Sequence, residues 1–583
     1  MLIKTLYTRR YAILTAAVFV FLAVLSWGKH WNLLVDVGRD LETTVRIADG
    51  QLLYRDIQSY YTPFAYYCNA WLVNLFGRHL AVFYLISLAI KATLALAVYR
   101  LATRLLKESY AAAICCGVLV TFAFTPGNVN QSSFSMQYAG AFLALALVAL
   151  QAYLLRPRPW LLPLMGVLSA LGALSKQEYG VAAAAAILAA LLLHHLSAEQ
   201  TPWPIRVRQL LTAWLLFAGP LAAVTFVPLW WFLKQVGWQV LVEESLYPRS
   251  RFHLFTSSEM MQVSPLKTLF VWGRSALYFL LSSAPVIAVL VLLRRLIRDP
   301  AVLAIAATAI AFPLSYLFAR LSHVSDLLPF NYLHWSIVLF IGAAAFYRPI
   351  VKAIGKPAAL VLFALSVAVV VLNLRWLFTF ELYDNYAVLL FVLFGLALGL
   401  LAPHLPQKIS PLLYLAVCTG AMLLARTWEF ARYDAPVESP RGTVLTPARQ
   451  TRYQPAGMSA AFNQAIAFLD SHLAPAERGR VLVLPDGTLL NYLSATHSPA
   501  RELTFLPGTI AGPQEEEAFI ERMKRQTRFI VLVDRTYDGW AQKRYSQINP
   551  LIYEWVTRQN RLVARFPANA DLIRIYQTAT PRD

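Results

Sequence analysis

Apolar residues arrive in blocks along this chain. Runs of about 17–25 residues, rich in Ala, Leu, Val and Phe, recur between residues 12 and 426 with short polar stretches between them. An α-helix needs about 20 such residues to cross the hydrocarbon core of a bilayer. The runs lack the period-2 alternation of barrel strands, so helices must satisfy the backbone. The pattern predicts about 13 spans, each placed to within about three residues: 12–28, 80–104, 110–125, 137–155, 160–175, 180–196, 210–233, 270–293, 301–319, 331–347, 357–375, 386–402 and 410–426. Two longer polar and aromatic stretches, 29–79 and 234–269, break the series.

Beyond residue 426 the pattern changes. Residues 427–456, rich in Pro, Arg and Thr, read as a linker. From 457 to 583 the chain reads as a small α/β domain. MSAAFNQAIAFLDSHL and EEEAFIERMKRQ carry helical period, RVLVLP and RFIVLVD read as short buried strands, and LVARFP and LIRIYQ as two more. The predicted fold class is a polytopic α-helical membrane protein with a small C-terminal α/β domain.

Composition agrees with a membrane protein. Of 583 residues, 58% are hydrophobic and only 14% charged, against roughly 25% charged in soluble proteins. The formal net charge is +20, and its distribution matters more than its size. Lys4, Arg9 and Arg10 precede the first span, and the alternate loops carry Arg100, Arg104 and Lys107, then Arg156 and Arg158, then Arg206 and Arg208. Arg294, Arg295 and Arg298 follow, then Arg348, Lys352 and Lys356, then Lys408. The intervening short loops hold almost none. Cations retained in the cytoplasm explain this asymmetry, and no aromatic-interleaved basic patch argues for nucleic acid. The expected topology is a multi-pass bacterial inner (plasma) membrane protein. Its N-terminus is cytoplasmic; stretches 29–79 and 234–269 and the C-terminal domain lie outside. The start, MLIKTLYTRR and an apolar run, lacks a small-residue cleavage site and reads as a retained first helix. Cys68, Cys115, Cys116 and Cys418 suggest no disulfide framework.

Candidate chemistry concentrates in the first outer stretch, DVGRDLETTVRIADGQLLYRDIQSYYTPFAYYCNAWLVNLFG, residues 36–77. Asp36 follows the first span, with Arg39 and Asp40 within one turn; on a helix Asp36 and Asp40 share a face. A carboxylate at the membrane surface can take a proton from a hydroxyl nucleophile. An interfacial helix with ordinary ion pairs would show the same spacing.

An acidic residue after helix one, then Gly-Arg-Asp, then G-x-x-L-Y-R-D-I, then a Pro before an aromatic-rich helix entry resembles the first periplasmic loop of GT-C glycosyltransferases. The resemblance is greatest to the bacterial branch near protein O-mannosyltransferases and lipid A aminoarabinose transferases. It implies transfer of a sugar, with inversion, from a polyprenyl-phosphate donor to an extracytoplasmic lipid, glycan or protein. It implies that Asp36 activates the acceptor. Where the aminoarabinose transferases carry Lys-Pro-Pro, this chain has Tyr61-Thr62-Pro63-Phe64, and its second outer loop, TPGNVNQSSFSMQ, has no acid. No cofactor is implied, and a divalent metal finds little support in that loop.

Other residues offer phosphate contacts for such a donor. Lys176 and Glu178 sit between two apolar spans; the ammonium there either pairs with the carboxylate or meets a lipid phosphate. Arg249, Arg251 and His253, after Tyr247, lie in the second long stretch, where arginine forks suit a phosphate or anionic headgroups equally. In ARLSHVSDLLP, Arg320, His323 and Asp326 recur every third residue; they suit substrate phosphate or helix-end pairing, and two ligands make no zinc site. Lys91, mid-span, reads either as functional or as half of a buried pair. The partners expected are therefore the polyprenyl-phosphate sugar, membrane lipids and an acceptor. The alternatives are a transporter or flippase for an amphipathic lipid and an envelope scaffold. A transporter would bring internal repeats and broken helices in matching halves, which the sequence does not show.

Overall fold

In a computed structural model of the protein, Val37, Leu41 and Val45 form one apolar stripe of helix α2 (Val37–Ala48), spaced four residues apart. The remaining faces of α2 carry Arg39, Asp40, Glu42, Thr43, Thr44 and Arg46, and these are buried too. A buried polar face is stable only when its groups are paired, and this requirement shapes the site described below. The structure describes residues 10–29, 33–34, 36–119, 123–124, 133–197, 201–246, 340–341, 343–344, 347–374, 392–393, 395–396, 434–440, 443–446, 457–534, 544–567 and 572–578.

Helix α1 (Arg10–Ser26) precedes α2. After it come α3 (Phe64–Phe76), α4 (Leu80–Thr103), α5 (Glu108–Val118), α6 (Phe134–Leu155), α7 (Leu161–Ser175), α8 (Gln177–Leu196), α9 (Trp203–Val236) and the short α10 (Trp238–Leu241). A π-helical turn, Val242–Leu246, closes this run, and α11 (Tyr347–Ile354) and α12 (Lys356–Asn373) follow later. Five described helices, α4, α6, α8, α9 and α12, are long and apolar enough to cross a membrane; α1 and α7 are apolar but shorter. The expected span at 210–233 changes length: α9 runs from 203 to 236 through Pro220 and Pro228. Of the span expected at 110–125, α5 takes in residues up to Val118, and residues 120–122 and 125 lie outside the described residues. The expected spans at 270–293, 301–319 and 410–426 lie outside the described residues, as do most of 331–347 and 386–402.

Helix α7 is wedged between α6, α8 and α9, and α12 packs on α8. The α7–α8 corner is close enough to need glycine: a Cβ on Gly180 would overlap the Ala173 backbone. Small residues permit such approaches between helices in lipid. Outward-facing Leu215, Val227 and Trp238 leave much of α9 and its end uncovered, as expected where lipid is the solvent.

The C-terminal part begins with an antiparallel pair, β1 (Val437–Ser439) and β2 (Thr443–Leu445). This pair occupies part of the stretch read as linker, because Val437 and Leu445 bury against α13 (Met458–His472). Next come β3 (Val481–Leu484), α14 (Leu489–Leu493), α15 (Gly512–Gln526), β4 (Phe529–Leu532), α16 (Tyr545–Ile548), α17 (Pro550–Gln559), β5 (Arg561–Phe566) and β6 (Ile573–Gln577). The strand order is β3-β4-β6-β5; β3 and β4 are parallel and the other pairs antiparallel. All residues of β3 and β4 are buried, as in a sheet covered on both faces.

The stripe of α2 joins these two parts. Val37, Leu41 and Val45 share one core with Leu34, Phe134, Phe462, Leu489 and Leu493. Gly38 touches α14 so closely that a Cβ would run into the Leu489 backbone.

Candidate active site

Asp36 sits where the chain turns into α2. Its backbone has φ 58° and ψ −58°, a conformation that costs a non-glycine residue ~1–3 kcal/mol and persists only when its surroundings impose it. An aspartate in this position ordinarily caps the helix by accepting from a backbone N–H. Here the side chain makes no capping bond; Arg39 Nη2 donates to its Oδ1 at 2.9 Å. The same Nη2 lies 3.3 Å from Asp40 Oδ1. One guanidinium therefore bridges the two carboxylates that the sequence places on a common face.

The two carboxylates are not equivalent. The Asp36 side chain is 15% exposed and the Asp40 side chain 0%, so only Asp36 can meet a substrate. Asp40 is fixed from three sides: Tyr66 of α3 donates its hydroxyl at 3.1 Å, the Phe134 N–H at the start of α6 donates at 3.0 Å, and Arg39 completes the set. Burial raises the Asp40 carboxyl to about 6; the Arg39 charge and the Phe134 and Tyr66 hydrogen bonds oppose that rise. Burial alone would lower the Arg39 guanidinium, but its neighbours, the Asp36 carboxylate foremost, outweigh it and hold the group well above its ordinary value. Arg39 is thus a permanent cation.

Tyr61 links this cluster to Lys176. The Arg39 guanidinium lies 5.1 Å from the centre of the Tyr61 ring, and the Lys176 ammonium 5.0 Å from the same ring. The ring is held by its own backbone. Tyr54 O–H donates to the Tyr61 carbonyl at 2.8 Å, and Ser59 Oγ bonds to its N–H and its carbonyl. Next door, Thr62 Oγ1 donates to the Ala173 carbonyl of α7 at 2.7 Å. That bond sets the ring at the α7–α8 corner, where Lys176 separates the two helices. Lys176 is 1% exposed. Glu178 occupies the first turn of α8, where the helix dipole favours a negative charge.

The structure thus gathers five sequence-predicted residues, Asp36, Arg39, Asp40, Tyr61 and Lys176, with Glu178 at the adjoining corner. Tyr247, Arg249, Arg251, His253, Arg320, His323 and Asp326 lie outside the described residues. Among the described residues no three His, Cys, Asp or Glu side chains converge as a metal site requires.

Sequence reasoning missed the supports. Tyr66 and the Phe134 N–H, which hold Asp40, gave no local signal. Glu244, in the π-helical turn, was missed as well. Arg501 of the C-terminal part ion-pairs with it and also donates to the Tyr54 carbonyl at 2.7 Å. The Ser59 N–H donates to Glu244 at 3.4 Å. Burial raises the Glu244 carboxyl to about 7, against the pull of Arg501 and the Ser59 N–H. The signal available in sequence was an acidic pair, Glu243-Glu244, in an otherwise apolar and aromatic neighbourhood.

Comparison with known proteins bears on this arrangement. Residues 61–231 match the family described as dolichyl-phosphate-mannose-protein mannosyltransferase. Over that segment the chain is similar to GT-C glycosyltransferases. The match takes in Tyr61, Tyr66, Lys176, Glu178 and the start of α6, and it begins after α2. No curated protein matches the chain. Among solved structures, ArnT from Cupriavidus metallidurans bound to undecaprenyl phosphate is 17% identical; the alignment covers 98% of this chain and 99% of that one, with a TM-score of 0.45. The same protein in the apo state gives 15% identity, 98% of each chain and a TM-score of 0.40. The Archaeoglobus fulgidus oligosaccharyltransferase in complex with zinc and sulfate gives 13% identity, 88% of this chain, 67% of that chain and a TM-score of 0.47.

Proposed function

We propose that this chain is a GT-C-type glycosyltransferase that moves a sugar from a polyprenyl-phosphate donor to an extracytoplasmic lipid, glycan or protein. The observation that carries the reading is the shared ring: a permanent guanidinium and a buried ammonium flank Tyr61, beside a carboxylate that stays partly exposed. Such a site combines a proton acceptor with fixed positive charge, as displacement of a phosphate leaving group requires.

In this reading an acceptor hydroxyl attacks the anomeric carbon from the face opposite the phosphate. The bond from that carbon to the phosphate oxygen breaks, and the sugar inverts. Asp36 takes the hydroxyl proton, and the polyprenyl phosphate leaves as an anion. Lys176 and Arg39 stabilise the charge developing on it; on this proposal Arg249, Arg251, His253, Arg320 and His323 contribute further contacts to the donor phosphate. Asp40 does not touch substrate. It anchors Arg39, and through Arg39 it orients Asp36. The C-terminal part, residues 457–583 after a connecting segment, supports α2 from behind and bounds the acceptor side. The inner membrane, with the C-terminal part outside, is the location this reading requires.

The test uses purified protein with a radiolabelled polyprenyl-phosphate sugar and an envelope extract as acceptor source. Asp36→Asn keeps shape and removes the proton acceptor, so transfer should fall by at least 100-fold, as for a missing general base, with donor binding retained. Transfer at the parental rate would eliminate Asp36 from the chemistry. Deleting the gene and comparing envelope glycolipids and glycans by mass should reveal one missing sugar; an unchanged profile would argue against transfer altogether.

A further inference from the structure

Lys91 lies at the centre of α4 and is 7% exposed. The sequence left open whether it had a buried partner. Among the described residues it has no hydrogen bond and no carboxylate; its ammonium lies 4.8 Å over the Phe124 ring, a contact worth about 2 kcal/mol when desolvated. That is less than the several kcal/mol that desolvating an ammonium costs. An anion seated against the ammonium would supply the missing compensation.

The surroundings of Lys91 suit one. It faces a cleft between α1 and α4 lined by Ser26, Trp27, Lys29, Tyr84, Ser87 and Leu88. Residues 84, 87, 88 and 91 form one face of α4 by their i, i+3, i+4, i+7 spacing. A second cation, Lys29, thus borders the same space, and among the described residues no carboxylate lines it. Trp27 and Tyr84, with ring centres 5.5 Å apart, make the aromatic rim that proteins place at the membrane–water boundary. The cleft lies towards the end of α4 that meets the C-terminal part: Tyr492 donates to the Arg78 carbonyl at 2.7 Å just before that helix, and the Thr446 N–H to the Gly28 carbonyl at 2.8 Å beyond α1. Helix side chains tilt towards the N-terminus, so Lys91 leans up from mid-helix towards that boundary. Beside the cleft, Phe21 and Val24 of α1 and Leu85 of α4 expose 64%, 72% and 57% of their surface, an apolar bed for acyl chains.

We propose that the α1–α4 cleft is a phosphate-binding site in which Lys91, with Lys29, holds the phosphate of an anionic membrane lipid. It shares no lining residue with the Tyr61 cluster and does not depend on the sugar-transfer reading.

The test uses the full chain in maltoside micelles, which contain no phosphate. Phosphatidylglycerol should raise the melting temperature of the parent protein, and diacylglycerol, which lacks the phosphate, should not. Lys91→Met, an uncharged side chain of similar length, should weaken phosphatidylglycerol binding by at least tenfold in native mass spectrometry and abolish its thermal shift. Lys91→Arg should keep both. If inorganic phosphate alone raises the parent's melting temperature and not that of Lys91→Met, the site takes the free anion as well as the lipid. Equal shifts from phosphatidylglycerol and diacylglycerol on the parent would overturn the proposal whatever the variants do. So would an unchanged phosphatidylglycerol affinity in Lys91→Met.

Discussion

Glu42 and His497, 455 residues apart in the chain, meet with the His497 Nδ1 3.0 Å from the Glu42 Oε1. Glu42 is fully buried, and the other nitrogen of His497 lies 3.6 Å from Asp49. One turn further along α2, Arg46 donates to the Ala500 carbonyl at 2.8 Å. Gly38 sits against Leu489 one turn earlier. The C-terminal part therefore grips α2 along its length.

This grip can be measured. His497→Ala leaves a buried carboxylate without its donor, and removing one partner of a buried hydrogen bond costs ~1–3 kcal/mol. The melting temperature of the purified protein should fall accordingly. Adding Glu42→Gln to that variant removes the stranded charge and should restore part of the loss. An identical melting temperature in His497→Ala and parent would show that the contact holds nothing.

Asp40 predicts a pH dependence with a definite sign. Burial raises its carboxyl to about 6, above the ordinary value of an aspartate. The folded state then binds more protons than the unfolded chain between pH ~4 and ~6, so this group's contribution to stability is present at the acid end and lost as pH rises. The slope is at most ~1.4 kcal/mol per pH unit. Other groups titrate in the same window, Glu244 among them with the same sign, so the informative quantity is a difference. Across this window, thermal melts of parent and Asp40→Asn should differ by a term that grows with pH in favour of the variant. A constant offset would mean that Asp40 does not titrate there.

The Tyr61 ring predicts a graded effect on donor binding. Two cation–ring contacts of ~0.5–2 kcal/mol each depend on its face. Tyr61→Phe keeps the face and should bind a polyprenyl-phosphate donor within about threefold of parent. Tyr61→Ala removes it and should weaken binding by about tenfold or more. Equal affinities in Phe and Ala variants would show that the ring does not organise the cations.

Legibility from sequence followed the range of the interactions. The long spans could be read because a bilayer imposes length and apolarity on consecutive residues; α4, α6, α8 and α12 begin and end within about three residues of expectation. The four short runs expected as strands fall on β3, β4, β5 and β6 because their β-branched and aromatic residues are local too. The ends of α9 reach beyond the expected span because its first turns and its last turn mix charged, polar and aromatic residues with apolar ones, which blurs a boundary read from composition. Asp36, Arg39 and Asp40 were visible as a spacing, but the spacing could not tell which carboxylate is exposed.

By itself the sequence determined that the chain is built of membrane-length helices, where the longer polar stretches between them fall, and which short run holds clustered charge, since each follows from neighbours within one helix. Only the tertiary structure decided that Asp36 is strained and turned to Arg39, that Asp40 answers to Tyr66 and Phe134, that one tyrosine ring serves both Arg39 and Lys176, and that His497 backs the same helix. Many of those contacts join residues tens to hundreds of positions apart, brought together because the polar groups beside the apolar stripe of α2 must find partners once packing has excluded water.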